Sequence, residues 1–165
     1  MKWHNSSYLV IGILAIIATV AVLGYQQLQL HHRQSMIHDR GSMVMPFNLS
    51  TTTHVFNKTD TGGVQRITVD KDGSDEDVSR IRSHLQSITE EFDKGNFSDP
   101  ATLHGNQMPG LQTLQERHER LNVTYSEIDE GAKVTYRTQD TVVVDALHDW
   151  FDAQLRDHGP DAQPS

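Results

Sequence analysis

Cysteine is missing from all 165 residues. Its absence excludes a disulfide scaffold, a thiol nucleophile and a thiolate metal site, and it fits either redox compartment. The chain also lacks His-Glu-x-x-His and any His-x-His pair, so no short zinc motif is present. No Ser, His and acid stand in a recognisable nucleophilic register, and no paired carboxylates mark a hydrolytic pocket. Enzyme chemistry therefore has no motif to rest on. One stretch is depleted in a different way. Tyr8 to Tyr25 holds no charge, no Asn, no Gln and no Pro.

That stretch decides where the chain resides. About 18 apolar residues at 1.5 Å each make a helix of about 27 Å, close to the hydrocarbon thickness of a bilayer. Tyr8 and Tyr25 bracket it and Trp3 lies just outside, where amphipathic rings meet headgroups. A cleaved secretory signal is the rival, with Met1 to Tyr8 as its basic region and Leu9 to Leu23 as its apolar core. The stretch is longer than most such cores, and its cleavage sites after Ala21 or Gly24 are mediocre. Length thus favours a retained single-pass anchor over residues 8–25. Basic residues nearly balance across it, with Lys2 before and Arg33 and Arg40 after. A short N-terminal tail with one Lys usually stays inside, which places the C-terminal part outside the cytoplasm.

Charge is uneven along the chain. Of 14 basic and 22 acidic residues, only Lys2, Arg33, Arg40 and Asp39 fall in residues 1–45. The remainder carries 11 basic and 21 acidic residues, a formal net of −10. Such a domain is held off anionic lipid and is a poor nucleic-acid binder.

The expected organisation is a tail (1–7), the anchor (8–25), a juxtamembrane stalk (26–45), an α+β domain (46–159) and a disordered tail (160–165). Alternating β-rich runs at 51–58 and 64–70 around Gly62-Gly63 predict a hairpin. Val78, Ile81, Leu85, Ile88 and Phe92 recur at helical spacing after a Ser74 or Asp75 cap and before Gly95. Residues 96–110 read as a loop and 111–120 as a short charged helix. Two more strands follow, at 121–128 and around Ala132, Val134 and Tyr136. A last helix carries Val144, Leu147, Trp150, Phe151 and Leu155 and stops at Gly159-Pro160. The order ββα-ββα predicts a two-layer sandwich, with a four-stranded antiparallel sheet and both main helices on one face. Val78, Ile81 and Leu85 match Val144, Leu147 and Phe151 at a constant offset of 66, which hints at duplication.

Histidine is abundant, with ten residues. Neutral imidazole is the commonest metal ligand. Residues i and i+2 share a strand face and residues three or four apart share a helical row. By that rule His54, His84 and His148 approach the interlayer region from three elements. His104 and Met108 lie on the linking loop, and His158 ends the last helix. Together these six are the candidate metal ligands, for copper or zinc, with Asp152 as a carboxylate partner. The His- and Met-rich run from His31 to Met45 reads as a flexible stalk, or else as a loose soft-metal collector. His118, among charged neighbours, reads as solvated surface. The alternative to a metal chaperone or sensor is an anchored interaction module that binds a protein partner through the 95–110 loop.

Several runs carry a resemblance: Thr52-Thr53-His54-Val55-Phe56, Gly62-Gly63-Val64, Asn96-Phe97-Ser98-Asp99-Pro100, His104-Gly105, Met108-Pro109-Gly110, Ala146 to Phe151, and Asp157-His158-Gly159. Across residues 46–159 the chain resembles a family of small, mostly bacterial proteins with no established activity. Members are sometimes labelled carbamoyltransferases. Ser50-Thr51-Thr52-Thr53 lacks the Arg of that phosphate loop, and about 120 residues cannot supply the two domains that the enzyme fold needs. The resemblance implies domain limits and no chemistry.

Overall fold

The computed structural model describes residues 4–165. Lys2 and Trp3, on which the orientation and one flank of the anchor partly rest, lie outside the described residues.

One long helix, α1 (His4–Val44), runs through the expected anchor and the expected stalk without a break. No Pro interrupts the sequence before Pro46, where the ring disfavours helix at the preceding residue. At 1.5 Å per residue its 41 residues span about 60 Å, twice what a bilayer core requires. From Tyr8 through Leu28 the large apolar side chains of α1 are exposed. This is one helix long and apolar enough to cross a membrane, and it lies near the N-terminus. Its C-terminal part is different. Ile37 is buried against the domain, and Gln34 donates from Nε2 to the Arg156 carbonyl. The expected stalk is therefore helical through Val44, and from Arg33 onward it is docked on the domain.

The domain opens with a short helical turn at Leu49–Thr51, followed by β1 (Thr52–Thr59) and β2 (Gly62–Val69). Helix α2 (Asp75–Asp93) begins at a capping box in which Ser74 and Asp77 satisfy each other's backbone N–H groups. Residues 96–110 hold a seven-residue helix, α3 (Ser98–His104), where composition predicts only loop. Asp99 and Pro100 fit its first turn, where a missing N–H is harmless. Next come α4 (Leu111–Glu116), a turn at His118–Arg120, β3 (Asn122–Ile128) and β4 (Gly131–Arg137). Helix α5 (Thr141–His158) is capped by Asp140 and ends at Gly159, whose φ of 57° lets the chain reverse. The last residues then form β5 (Ala162–Pro164).

The sheet order is β3-β4-β2-β1-β5. The first four strands are antiparallel, as expected. The fifth is not: β5 pairs parallel with β1, with Ala162 opposite His54 and Pro164 opposite Phe56. The sheet is thus five-stranded and mixed, and residues 162–164 belong to it rather than to a disordered tail. Three residues of low apolar content gave no strand period to read. Their pairing comes from the Gly159-Pro160 reversal, which returns the chain beside β1.

Alternation sets one face of the sheet inward. Phe56, Ile67, Val123, Val134 and Tyr136 join Ile81, Leu85 and Phe92 of α2 and Leu147, Trp150 and Phe151 of α5 in one core. Helix α2 packs chiefly on β3 and β4, and α5 on β1 and β2. Each helix therefore covers the hairpin of the other ββα unit. Gly110 enters α4 at a φ of 75°, directly against the α5 backbone at Ala146, where a Cβ would not fit. That close approach fixes the segment carrying α3 and α4 against α5.

Candidate functional site: an imidazole-lined cavity

Where the end of α1 meets the domain, the core contains a cavity of about 40 Å³. A water needs about 10–15 Å³ on this scale, so there is room for an ion with a water or two. Five elements of the domain and the end of α1 form its wall. Val44 and Met45 come from α1 and its exit, His54 from β1, and Gln65 from β2. His84 comes from α2, Asp99 and His104 from α3, and Trp150, Gln154 and His158 from α5.

Four of the six sequence candidates thus meet: His54, His84, His104 and His158. The His158 ring lies between two others, with centroids 5.0 Å from His54 and 5.1 Å from His104. Phe47 packs beside two of the imidazoles, its ring centre 6.3 Å from His54 and 5.8 Å from His84. His148 does not join them. Its Nε2 donates to the carbonyls of Thr59 and Gly62, at 3.1 and 2.9 Å, and so ties α5 to the β1–β2 turn. The strand-and-helix rule gave its row correctly, but α5 runs along the sheet and carries His148 to the opposite end from His54. Met108 is buried in the apolar core and does not line the cavity. Asp152 pairs with Lys58 at 2.5 Å instead of orienting an imidazole.

The cluster has an orienting group that sequence reasoning missed. Asp157 is fully buried, at 0% exposure. Its Oδ2 accepts from His104 Nδ1 at 3.0 Å, and both its oxygens accept from the Arg33 guanidinium at 2.7 Å. Burial pushes the Asp157 carboxyl up, but the hydrogen bonds from Arg33 and His104 outweigh it and hold the group well below the usual range. Its one signal in the sequence is position: Ala153, Gln154, Asp157 and His158 share a buried row of α5. Arg33 lies 124 residues away on α1, and no local pattern could pair the two.

With Nδ1 of His104 donating to Asp157, the neutral form of the ring has its lone pair on Nε2. That nitrogen is buried without a hydrogen-bond partner, as is Nε2 of His54. Trp150 Nε1 is the third such atom among the described residues, and its residue lines the same cavity. The indole edge meets the rings of Phe92 and Tyr136 at steep angles. Such concentration of unpartnered nitrogens is unusual, since nearly all buried polar atoms find partners.

Protonation is suppressed at His54, His84 and His158. Burial pushes His54 down to about 4, and the neighbouring charges of His84 and His104 push the same way. His158 is lowered well below its ordinary value by burial and by His54 and His104, against the opposing pull of Asp157. Burial lowers His84 too, against Asp99. At neutral pH His54, His84 and His158 are therefore neutral imidazoles, the form that binds metals. Among the described residues, however, no group of three or more His, Asp or Glu side chains already stands in an arrangement that could hold a metal ion.

No protein-family model, no curated protein and no solved structure matches the chain.

Proposed function

We propose that this chain is a membrane-anchored metal-binding domain, with the cavity between His54, His104 and His158 as its site and copper or zinc as its ligand. The observation that supports this reading is the pair of buried, unpartnered Nε2 atoms on one cavity wall. His104 has the carboxylate–imidazole pairing that typically orients a metal ligand and raises its basicity. In a tetrahedral imidazole site with metal–nitrogen bonds of about 2.0–2.1 Å, ring centres lie about 5 Å apart. His158 keeps that spacing to both neighbours. Binding requires the rings to turn their nitrogens toward a common point. The α1 stretch from Tyr8 to Tyr25 serves as a single-pass anchor. The acidic domain stands outside the cytoplasm, on the periplasmic side of a bacterial inner membrane, and works as a metal chaperone or sensor.

The full chain, purified in detergent and incubated with copper or zinc, tests this. One equivalent of metal should survive desalting, and His54→Ala or His104→Ala should lose it while circular dichroism stays unchanged. No retained metal from the wild-type chain refutes the reading. Protease protection of the C-terminal domain in sealed inverted vesicles tests the orientation; digestion there places the domain in the cytoplasm.

The absence of a ready three-donor group among the described residues favours a second reading. In it the imidazoles are structural, and the chain is an anchored interaction module for a protein partner. Cross-linking in the native membrane distinguishes this reading, since it expects a defined adduct through the segment 95–110 with or without metal.

A further inference from the structure

We propose that the cavity selects Cu(I) over Zn(II), because Met45 adds a thioether to its imidazoles. This rests on the metal-binding reading above and names the metal. The chain has no cysteine, so methionine is its one source of soft sulfur. Two methionines with described side chains bear on the choice. Met108 is in the apolar core away from the imidazoles, and Met36 is exposed on α1. Met45 is different. It lines the same cavity as His54, His104 and His158, held there by the end of the docked membrane helix. Its backbone N–H bonds the Gly41 carbonyl at 2.7 Å, so the residue is fixed as the last turn of α1 closes. It is also partly buried against the core.

Donor chemistry then discriminates. Thioether and imidazole suit Cu(I), whereas Zn(II) gains little from a neutral thioether and favours thiolate, imidazole and carboxylate. The nearest buried carboxylate, Asp157, is already engaged by Arg33 and His104. Asp99, the one carboxylate among the lining residues, is exposed at the rim, and the buried lining donors are imidazoles and two Gln amides, beside the Met45 thioether. A neutral nitrogen and sulfur set in an apolar wall suits a monovalent ion better than a divalent one, whose charge it would leave uncompensated.

Met45→Leu keeps the volume and removes the sulfur. The test titrates the full chain in detergent, without oxygen, against a chromophoric Cu(I) chelator, and separately against a Zn(II) chelator. The wild-type chain is expected to hold Cu(I) with a sulfur shell in its X-ray absorption spectrum. Met45→Leu should lower Cu(I) affinity at least tenfold, abolish that shell and leave Zn(II) affinity unchanged. Metal binding without a sulfur shell, with equal Cu(I) affinity in the variant, overturns this inference and leaves the metal site standing. If neither metal is retained by the wild-type chain, both readings fail together. A fall in both affinities marks a disturbed fold rather than a lost ligand, and Met45→Gln, which also removes the sulfur, would then have to spare Zn(II) for the proposal to survive.

Discussion

Acid should destabilise this domain well above the pH at which its carboxylates protonate. The reason is His54, which is 1% exposed and pushed down to about 4 by burial, with the charges of His84 and His104 acting in the same direction. In the unfolded chain the same imidazole has its ordinary value of 6.5. The folded state thus refuses a proton that the unfolded state accepts. Stability from this group is complete above pH 6.5, falls as pH drops from 6.5 toward 4, and levels off below. At about 1.4 kcal/mol per pH unit, lowering the pH to 5 removes about 2 kcal/mol through His54 alone. His158 and His84 are lowered as well and steepen the loss. Asp157, held low by Arg33 and His104, contributes nothing until far lower pH. The assay is urea unfolding of the full chain in detergent at pH 7.5, 6 and 5. Trp150, buried among Phe92, Tyr136 and Phe151, is the reporter once Trp3→Phe has silenced the other indole. A loss of 2 kcal/mol shifts the midpoint by about 1–2 M. His54→Leu should flatten the dependence by that amount. A midpoint that is level or rising between pH 7.5 and 5, or an unchanged slope in His54→Leu, refutes the argument.

Other expectations follow from particular contacts. Arg33→Gln removes the guanidinium from a fully buried carboxylate and should cost about 2 kcal/mol by thermal or urea unfolding, less than a fully buried pair because Arg33 is 46% exposed and His104 remains. His148→Ala frees the carbonyls of Thr59 and Gly62; a loss of about 1 kcal/mol is expected, with metal retention unaltered, and lost retention would return His148 to the site. Deleting residues 162–165 strips β5 from the edge of the sheet. Hydrogen exchange should then accelerate at β1 amides and not at β3 or β4, and uniform acceleration would mean that β5 supports the whole fold.

What could be read in the sequence followed period and punctuation. Val78 to Phe92 and Val144 to Leu155 carry helical spacing, and Ser74 and Asp140 cap their helices in the structure. The hairpins were legible from alternation around Gly62-Gly63 and Gly131. Three features were not. Helix α3 is too short for a period, and its Pro and Gly neighbours read as loop. Strand β5 exists only because β1 offers it an edge. The docking of α1 is a long-range event, fixed by Asp157 at the far end of the chain. The site shows the same division. His54, His84, His104 and His158 were recognisable by residue type, and a face rule sufficed for the first two. It misplaced His148, since sharing a face says nothing of which end of the sheet a side chain reaches. Arg33 and Asp157, which orient His104, left almost no local signal.

Helix α1 and the imidazole-lined cavity form one packed unit, and truncation should expose this. Removing the apolar stretch alone leaves residues 26–165, with Arg33, Ile37 and Met45 all in place. Cutting at Pro46, the domain boundary that sequence suggests, removes all three. Asp157 then keeps His104 as its single partner, and the surface under Ile37, which is 4% exposed, opens to water. Burying such a side chain contributes about 2 kcal/mol, and the broken Arg33 pair about as much again. The 46–165 fragment should therefore be less stable than the 26–165 fragment by about 4 kcal/mol, a large share of a small domain's stability. It should also lose Cu(I) selectivity with Met45. Urea midpoints of the two fragments decide the matter. Equal midpoints would mean that α1 merely rests on the domain, and the cavity would then have to be closed by the domain's own residues.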